Sequence, residues 1–247
     1  MALQRLLDTT ANPPDPDQLY SVMDFPEPPS DRPYLYLNMV STADGKIVIG
    51  NVGGSAKGVG NVTDQLLFRR LQHTCDAALL GSSTLRASQV IYPPDKPRFV
   101  ITRTGDVPLN NRFFQDAPEQ AYVLAPETLA QDASKRIEDA GVKLIQVGQD
   151  SVDLITSMKI LRQEYGIGVL LCEGGATLND DLIRHGLADE LFLTLTNKLK
   201  GGSHLPTVVD GQGFAPGSYL PLTLLSLYHD DGEIYLRYRL ACSASTV

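Results

Sequence analysis

The sequence contains no tryptophan, only three cysteines and no long apolar run. Cys75, Cys172 and Cys242 are odd in number and match no metal-ligand spacing, so a reducing cytoplasm fits them better than a disulfide-bonded secreted protein. Apolar stretches such as Val169 to Cys172 are too short to span a bilayer. The N-terminal residues also lack the continuous apolar core of a signal peptide. We therefore expect a cytoplasmic protein with no membrane partner.

Positive charge is scarce. The 247 residues include 21 Lys and Arg against 29 Asp and Glu, which gives a formal net charge of −8. Such a surface repels a phosphate backbone, and no local cluster of basic residues reverses the effect. We expect no nucleic-acid partner. A small phosphorylated ligand remains compatible, because helix N-termini and one or two arginines can hold a phosphate inside a cleft.

Two familiar ligand patterns are also missing. The four histidines are scattered and match no metal spacing, so no metal site is predicted. No Gly-x-Gly-x-x-Gly segment follows the first predicted strand, which argues against a standard Rossmann dinucleotide site. Any dinucleotide must be held by another arrangement.

Proline marks the start of the chain. Seven of the sixteen prolines lie in residues 1–33, among scattered leucine and phenylalanine side chains. We interpret residues 1–32 as an extended, proline-rich arm, and the apolar side chains favour its docking on the surface over a disordered tail. Residues 33–247 are long enough for one large domain with its own core.

Strand-like and helix-like patterns alternate through that domain. Strands are predicted at 34–40, 76–81, 98–102, 121–124, 142–147, 168–172 and 190–196, and an antiparallel hairpin at 222–228 and 233–240. Helices are predicted at 63–75 with Thr63 as the cap, at 127–140, from 151 with a stripe of Leu154, Met158, Leu161 and Tyr165, and at 176–185. The order indicates an α/β fold with a mostly parallel central sheet and antiparallel C-terminal strands.

Three strand-to-helix junctions are candidate ligand sites, because free N–H groups converge where parallel strands end. They are Gly81 to Thr84, Glu173 to Thr177, and Thr102 to Gly105. None is specific alone, since a Gly-Ser or Gly-Gly step often forms only a tight turn. The five glycines of Gly50 to Gly60 add a candidate mobile loop.

The order of these motifs resembles the reductase domain of riboflavin biosynthesis, which belongs to the dihydrofolate-reductase-like superfamily. The resemblance runs from about residue 33 to the end. It is carried by Asn38 to Lys46, Asp76 to Thr84, Glu173 to Leu178 and Gly186 to Leu191.

That resemblance implies a three-layer dihydrofolate-reductase-like fold, NADPH as cofactor, a phosphoribosylamino-pyrimidine as small-molecule substrate and a homodimer. Hydride would pass to the sugar-derived carbon. The positions implied for the cofactor are Val40, Ser41, Gly81, Ser82, Thr84, Thr102, Arg103, Gly174, Gly175, Ala176 and Thr177. Arg103 would meet the 2′-phosphate, for which a planar donor fork is suited. The dimer would use the apolar strand Leu191 to Leu195.

Asn38, Ser55 and Glu173 are the positions implied for substrate, and Asp44 and Glu173 are the candidate catalytic residues. Asp44 sits in an Asp-Gly step, which is also ordinary turn chemistry. Glu173 ends a buried strand, where a carboxylate needs a partner such as a ligand or a helix N-terminus.

Two departures from the family pattern concern the substrate. Asn38 stands where the riboflavin enzymes usually have lysine, and Gln72 where they have a substrate-binding arginine. Arg69 or Arg70 could take over the phosphate contact. Because of these departures, an alternative function is a non-catalytic NADPH-binding module or metabolite sensor. A dihydrofolate or pteridine reductase is less favoured, because the missing tryptophan and the glycine-rich loop fit that branch poorly.

Overall fold

A computed structural model describes residues 3–241, so Cys242 lies outside the described part of the chain. The strands are β1 Gln4–Asp8, β2 Tyr34–Thr42, β3 Ala77–Gly81, β4 Arg98–Ile101, β5 Ala121–Ala125, β6 Lys143–Gln146, β7 Val169–Cys172, β8 Glu190–Thr196, β9 Leu222–Asp230 and β10 Glu233–Leu240. The α-helices are α1 Val62–Thr74, α2 Ser82–Ala87, α3 Arg112–Gln115, α4 Gln131–Asp139, α5 Leu154–Gln163 and α6 Ala176–Arg184. None of the helices within residues 3–241 has the length and apolar character needed to cross a membrane.

All ten strands form one sheet in the order β1-β9-β10-β8-β2-β7-β3-β4-β5-β6. The seven strands from β8 to β6 in that order pair in parallel, while β10, β9 and β1 add antiparallel pairs at one end. The predicted α/β class is confirmed.

Helices cover both faces of the sheet, because successive side chains of a strand point to opposite sides. Leu35 and Leu37 of β2 pack in one core with α5 and α6. Tyr36, between them, packs in a second core against Leu67 and Leu71 of α1. Residues of β3, β4 and β5 form a third cluster with α2, α3 and α4. The sheet and the helices on its two faces are the three layers expected of a dihydrofolate-reductase-like fold.

Two helix starts differ from the prediction. Asn61, not Thr63, caps α1, since its side-chain oxygen accepts from the backbone N–H groups of Thr63 and Asp64. The Thr63 hydroxyl instead donates to Asp230 at 2.6 Å. α4 begins at Gln131 rather than near 127, because residues 126–129 close a turn through the Leu129 N–H and the Pro126 carbonyl.

Tyr165 lies beyond the end of α5 and is outside the predicted helical stripe. It still belongs to the same apolar face, where its ring packs edge-on against Phe99 and Tyr122. The other three members of the stripe, Leu154, Met158 and Leu161, are buried as predicted. Cys75 and Cys172 are also buried and unpaired.

The proline-rich arm contributes a strand that the sequence pattern did not indicate. β1 pairs antiparallel with β9 at the edge of the sheet, and Leu19 is buried against the core that contains Leu67 and Leu71. Arg70 holds the arm by donating to the carbonyls of Asp17 and Leu19, both at 2.8 Å.

The strand proposed for a dimer contact is an interior strand. β8 lies between β10 and β2, and both Leu191 and Phe192 are buried within this chain. Leu193 and Leu195 are only partly buried, so the protomer's own core covers this strand in part, and the strand alone gives no evidence for the dimer.

A buried ion pair joins β8 to β10. The Glu190 carboxylate accepts from Arg237 Nε at 2.7 Å and Nη2 at 3.0 Å, and from the Tyr34 hydroxyl at 2.9 Å. Glu190 is fully buried. Such a bidentate geometry compensates the cost of removing both charges from water.

Candidate functional site

A cleft with a volume of about 2100 Å³ lies where the parallel strands end. Its walls come from the ends of β2, β3, β4 and β7 and from the segments 52–58, 87–91 and 148–154. Typical pockets for one small molecule measure roughly 300–1,000 Å³. The cleft therefore has room for a dinucleotide together with a second molecule, at the edge where open α/β sheets bind ligands.

Most of the residues predicted to contact ligand line this cleft. They are Asn38, Val40, Ser55, Gly81, Ser82, Thr84, Thr102, Arg103, Glu173, Gly175, Ala176 and Thr177. Three others, Ser41, Gly174 and Asp44, do not belong to its lining.

The two glycine junctions meet in the floor of the cleft. The Gly81 N–H donates to the Gly174 carbonyl at 2.8 Å, so the ends of β3 and β7 are held together. A β carbon at Gly175 would lie 3.2 Å from the Thr84 Oγ1 atom. A side chain at Gly175 would crowd Thr84, so glycine lets the two junctions lie this close together.

The N-terminus of α6 lies at the cleft. Gly175 precedes the helix and provides no side-chain cap, and Ala176, Thr177 and Leu178 line the cleft. The first N–H groups of a helix have no acceptor within the helix, and together with the helix dipole they favour an anion. The residues present therefore fit the phosphates of a dinucleotide.

Ser41 and Gly174 lie just behind the cleft. Ser41 is buried within β2. Gly174 has a φ of 76°, and a β carbon there would lie 3.0 Å from the Met39 sulfur. The peptide bond between Gly174 and Gly175 is cis. Both residues shape the wall without facing the open volume.

Asp44 lies in an exposed turn outside the lining. Its carboxylate accepts from the backbone N–H groups of Lys200 at 2.9 Å and Gly201 at 2.6 Å and from the Thr42 hydroxyl at 2.7 Å. These hydrogen bonds, led by that from Lys200, lower the pKa of Asp44 to about 2. This geometry supports the turn interpretation, and the catalytic role stays a prediction.

Glu173 is the predicted catalytic carboxylate that lines the cleft. It is only partly exposed, and its Oε1 accepts from the Gln72 side-chain amide at 3.1 Å. Burial raises its pKa to about 7, while the neighbouring Tyr92 hydroxyl and Gln72 amide act to lower it. Glu173 therefore carries a proton for part of the time at neutral pH.

Asp64 is a second cleft carboxylate that the sequence reasoning missed. Burial raises its pKa to about 6, and it lies so close to Gly60 that a β carbon there would overlap it. Asn38 and Asp64 both line the cleft and a small cavity behind it. Asp64 lies three residues before Leu67 and seven before Leu71, on the buried face of α1, and this helical spacing was the signal that could have found it.

The arginines divide between the cleft and the arm. Arg103 is exposed at the cleft beyond β4, and Thr102 before it closes the turn by accepting from the Gly105 N–H at 3.1 Å. Arg69 also lines the cleft. Arg70 is engaged with the arm, so Arg69 is the one of the pair that is available to a ligand.

Comparison with known proteins identifies the same family as the order of the motifs. A family model described as the RibD C-terminal domain matches residues 33–236. Two proteins named 2,5-diamino-6-ribosylamino-4(3H)-pyrimidinone 5′-phosphate reductase are similar: one from Aquifex aeolicus is 28% identical over 74% of this chain and 85% of its own length, and one from Methanothermobacter thermautotrophicus is 31% identical over 74% and 86%.

Solved structures share the fold. A pyrimidine reductase-like protein from Corynebacterium diphtheriae superposes with a TM-score of 0.70 at 18% identity, covering 85% of this chain and 93% of that chain. Acinetobacter baumannii RibD gives 0.71 at 23% identity, and the match covers 86% of this chain but only 59% of RibD. Because the family model covers well over half of the sequence, the chain belongs to the RibD C-terminal domain family, the family that the order of its motifs indicated.

Proposed function

We propose that this chain is an NADPH-dependent reductase that acts on a phosphoribosylamino-pyrimidine of riboflavin biosynthesis. The observation that carries the proposal is one cleft that holds both an uncapped helix N-terminus at α6 and the partly protonated carboxyl group of Glu173. The substrate class comes from the names of the two similar reductases.

The cofactor would lie across the ends of β3, β7 and β4. Gly81, Gly175 and the first N–H groups of α6 would hold its phosphates. Arg103 would pair with the 2′-phosphate that distinguishes NADPH from NADH, since guanidinium matches phosphate geometry with two parallel hydrogen bonds.

The substrate would occupy the other part of the cleft, beside Asn38, Ser55 and Glu173. Arg69 would meet its phosphate in place of the family arginine that Gln72 replaces. The nicotinamide would supply the hydride, and the chain's own residues would hold the sugar-derived carbon against it and exclude water. Glu173 would supply the proton that the product needs.

Cofactor titration tests the first half of this proposal. We expect NADPH to bind more tightly than NADH, and Arg103→Ala to remove about 10- to 100-fold of that preference, because a hydrogen bond to a charged group contributes roughly 1.5–3 kcal/mol. Arg112→Ala, an exposed arginine paired with Asp116 and outside the cleft, is the control. Equal affinity for the two cofactors would contradict the assignment of NADPH.

We further propose that the protein is cytoplasmic and forms a homodimer. Two buried, unpaired cysteines suit a reducing compartment. Light scattering at several concentrations tests the dimer, and a concentration-independent mass of one chain would remove it.

A metabolite sensor is the second candidate. It is favoured by the neutral side chains of Asn38 and Gln72 beside the substrate part of the cleft. A sensor would bind NADPH and release it unoxidised when the pyrimidine is added, whereas the reductase would oxidise it.

A further inference from the structure

Gln72 makes a direct contact with the candidate catalytic carboxyl group. It lies on α1, whereas Glu173 follows β7, 101 positions later in the chain. The Gln72 side chain is buried, with 4% of its surface exposed, and within residues 3–241 it makes one hydrogen bond, from Nε2 to Glu173 Oε1 at 3.1 Å. Both residues line the cleft. A buried amide with this single partner is placed to fix the orientation of the carboxyl group.

Tyr92 also lies close to the Glu173 carboxyl group. Its hydroxyl is buried and makes no hydrogen bond of ordinary geometry within residues 3–241. The charge of Glu173 is the next cause, after burial, that raises the pKa of Tyr92. Glu173 therefore accepts a hydrogen bond from one neutral amide, that of Gln72, and lies near the neutral phenol of Tyr92.

The other titratable groups that interact with Glu173 are neutral as well. They are Tyr36 on β2, Cys75 at the end of α1 and Cys172 on β7. Burial raises the pKa of all three. Lys96, a cation behind them, donates to the Cys75 carbonyl at 2.6 Å. Asp64 and Arg69 line the same cleft, but neither contributes to the pKa of Glu173.

We infer that Gln72 is a positioning residue: its neutral amide holds Oε1 of Glu173 in place and leaves the carboxyl group able to carry the proton that reduction of the substrate consumes. The inference rests on the proposed function. Gln72 thus has a role of its own, beyond filling the position of an absent arginine. A cation at this position would hold Glu173 as a carboxylate, which cannot donate a proton.

The proton balance follows from the net reaction. Reduction of a ribosylamino group breaks the bond between the anomeric carbon and the ring oxygen. A bound nicotinamide would supply the hydride for a new carbon–hydrogen bond at that carbon and would itself be oxidised. The ring oxygen becomes a hydroxyl with the proton of Glu173, and the resulting carboxylate regains a proton from water.

Two substitutions at Gln72 separate the positioning of the Glu173 carboxyl group from the effect of a charge beside it. Gln72→Met keeps a similar shape but removes the donor, and we expect kcat to fall about 10- to 100-fold with a smaller change in KM. Gln72→Arg adds a cation, and we expect the loss of activity at alkaline pH to begin about one to three pH units lower than in the wild type. Gln163→Met, at the exposed end of α5, is the matched control and should change neither quantity.

A second readout does not depend on turnover. In protein labelled with 13C at the glutamate carboxyl carbons, the resonance that disappears in Glu173→Gln should titrate near pH 7 in the wild type and at lower pH in Gln72→Arg. NADPH titration of each variant shows that its cofactor site is folded.

The outcomes distinguish this inference from the function on which it rests. A wild-type Glu173 that titrates near its ordinary pKa, or a Gln72→Met variant with wild-type kcat and wild-type titration, overturns the role of Gln72. If the wild-type protein reduces no pyrimidine, the proposed function fails together with the proton-transfer step. The carboxyl titration then still decides whether Gln72 controls the protonation of Glu173.

Discussion

A β carbon at Gly175 would lie 3.2 Å from Oγ1 of Thr84, tighter than most real contacts. These two residues belong to the neighbouring junctions after β7 and β3, which the sheet brings side by side. The close approach explains why the second glycine of the Glu-Gly-Gly segment is needed at the floor of the cleft.

A side chain at Gly175 should weaken cofactor binding. We expect Gly175→Val to raise the Kd for NADPH about 10- to 100-fold, because its methyl groups would displace the phosphates from the first N–H groups of α6. Fluorescence titration measures the effect. Gly50→Val is the control, since a β carbon at Gly50 meets nothing within 4 Å. Unchanged affinity in Gly175→Val would place the phosphates elsewhere.

The buried pair of Glu190 and Arg237 should dominate the electrostatic contribution to stability. Arg237→Ala leaves Glu190 charged and buried without its bidentate partner, and we expect the free energy of unfolding to fall by about 3–5 kcal/mol. Arg239 lies two positions away, 4.0 Å from the same carboxylate, with 54% of its side chain exposed. Arg239→Ala should cost less than about 1 kcal/mol. Equal losses in urea unfolding would contradict this difference.

The proline-rich arm should stabilise the fold. We propose that residues 1–32 form an arm on a reductase domain of residues 33–247. Leu19 is buried in the arm, so Leu19→Ala should lower the free energy of unfolding by about 2–5 kcal/mol through the cavity it leaves. Val22, 82% exposed, gives the control Val22→Ala, expected within about 0.5 kcal/mol of wild type. Thermal or urea unfolding that is insensitive to Leu19→Ala would show that the arm adds nothing.

Asp44 should act on stability and not on the chemical step. Its pKa is lower in the folded protein, about 2 against an ordinary 3.8. Its contribution is therefore present above about pH 4 and is lost as the pH falls towards 2. We expect Asp44→Asn to lower the Tm at pH 7, with a difference from wild type that shrinks on acidification. A fall in kcat of about 100-fold or more at unchanged Tm would instead restore a catalytic role.

Local sequence patterns were sufficient for the parallel part of the sheet and for the junctions at its edge. A continuous apolar run such as Leu170 to Cys172 indicates a strand covered on both faces, and the small residues after it mark where a ligand can approach. Since all parallel strands end at one edge, Gly81, Glu173 and Thr102 were expected to meet, and they line one cleft.

Contacts between distant segments were not predictable in this way. β1 exists because the edge of β9 offers unpaired backbone groups, which no local pattern at Gln4–Asp8 reveals. The contact of Gln72 with Glu173 depends on how α1 packs beside β7. For Asp44 a local pattern was present but ambiguous. An Asp-Gly step has the same local pattern whether its carboxylate binds a ligand or closes a turn.

Turnover tests the central claim most directly. The purified protein is mixed with NADPH and the 5′-phosphate of 2,5-diamino-6-ribosylamino-4(3H)-pyrimidinone, the substrate named for its relatives, and absorbance is followed at about 340 nm, the nicotinamide band. The account predicts oxidation of NADPH coupled to formation of the reduced sugar chain, and a loss of about 100-fold or more in Glu173→Gln with NADPH binding retained. Tight NADPH binding with no oxidation in the presence of this pyrimidine would contradict the reductase assignment and favour the sensor.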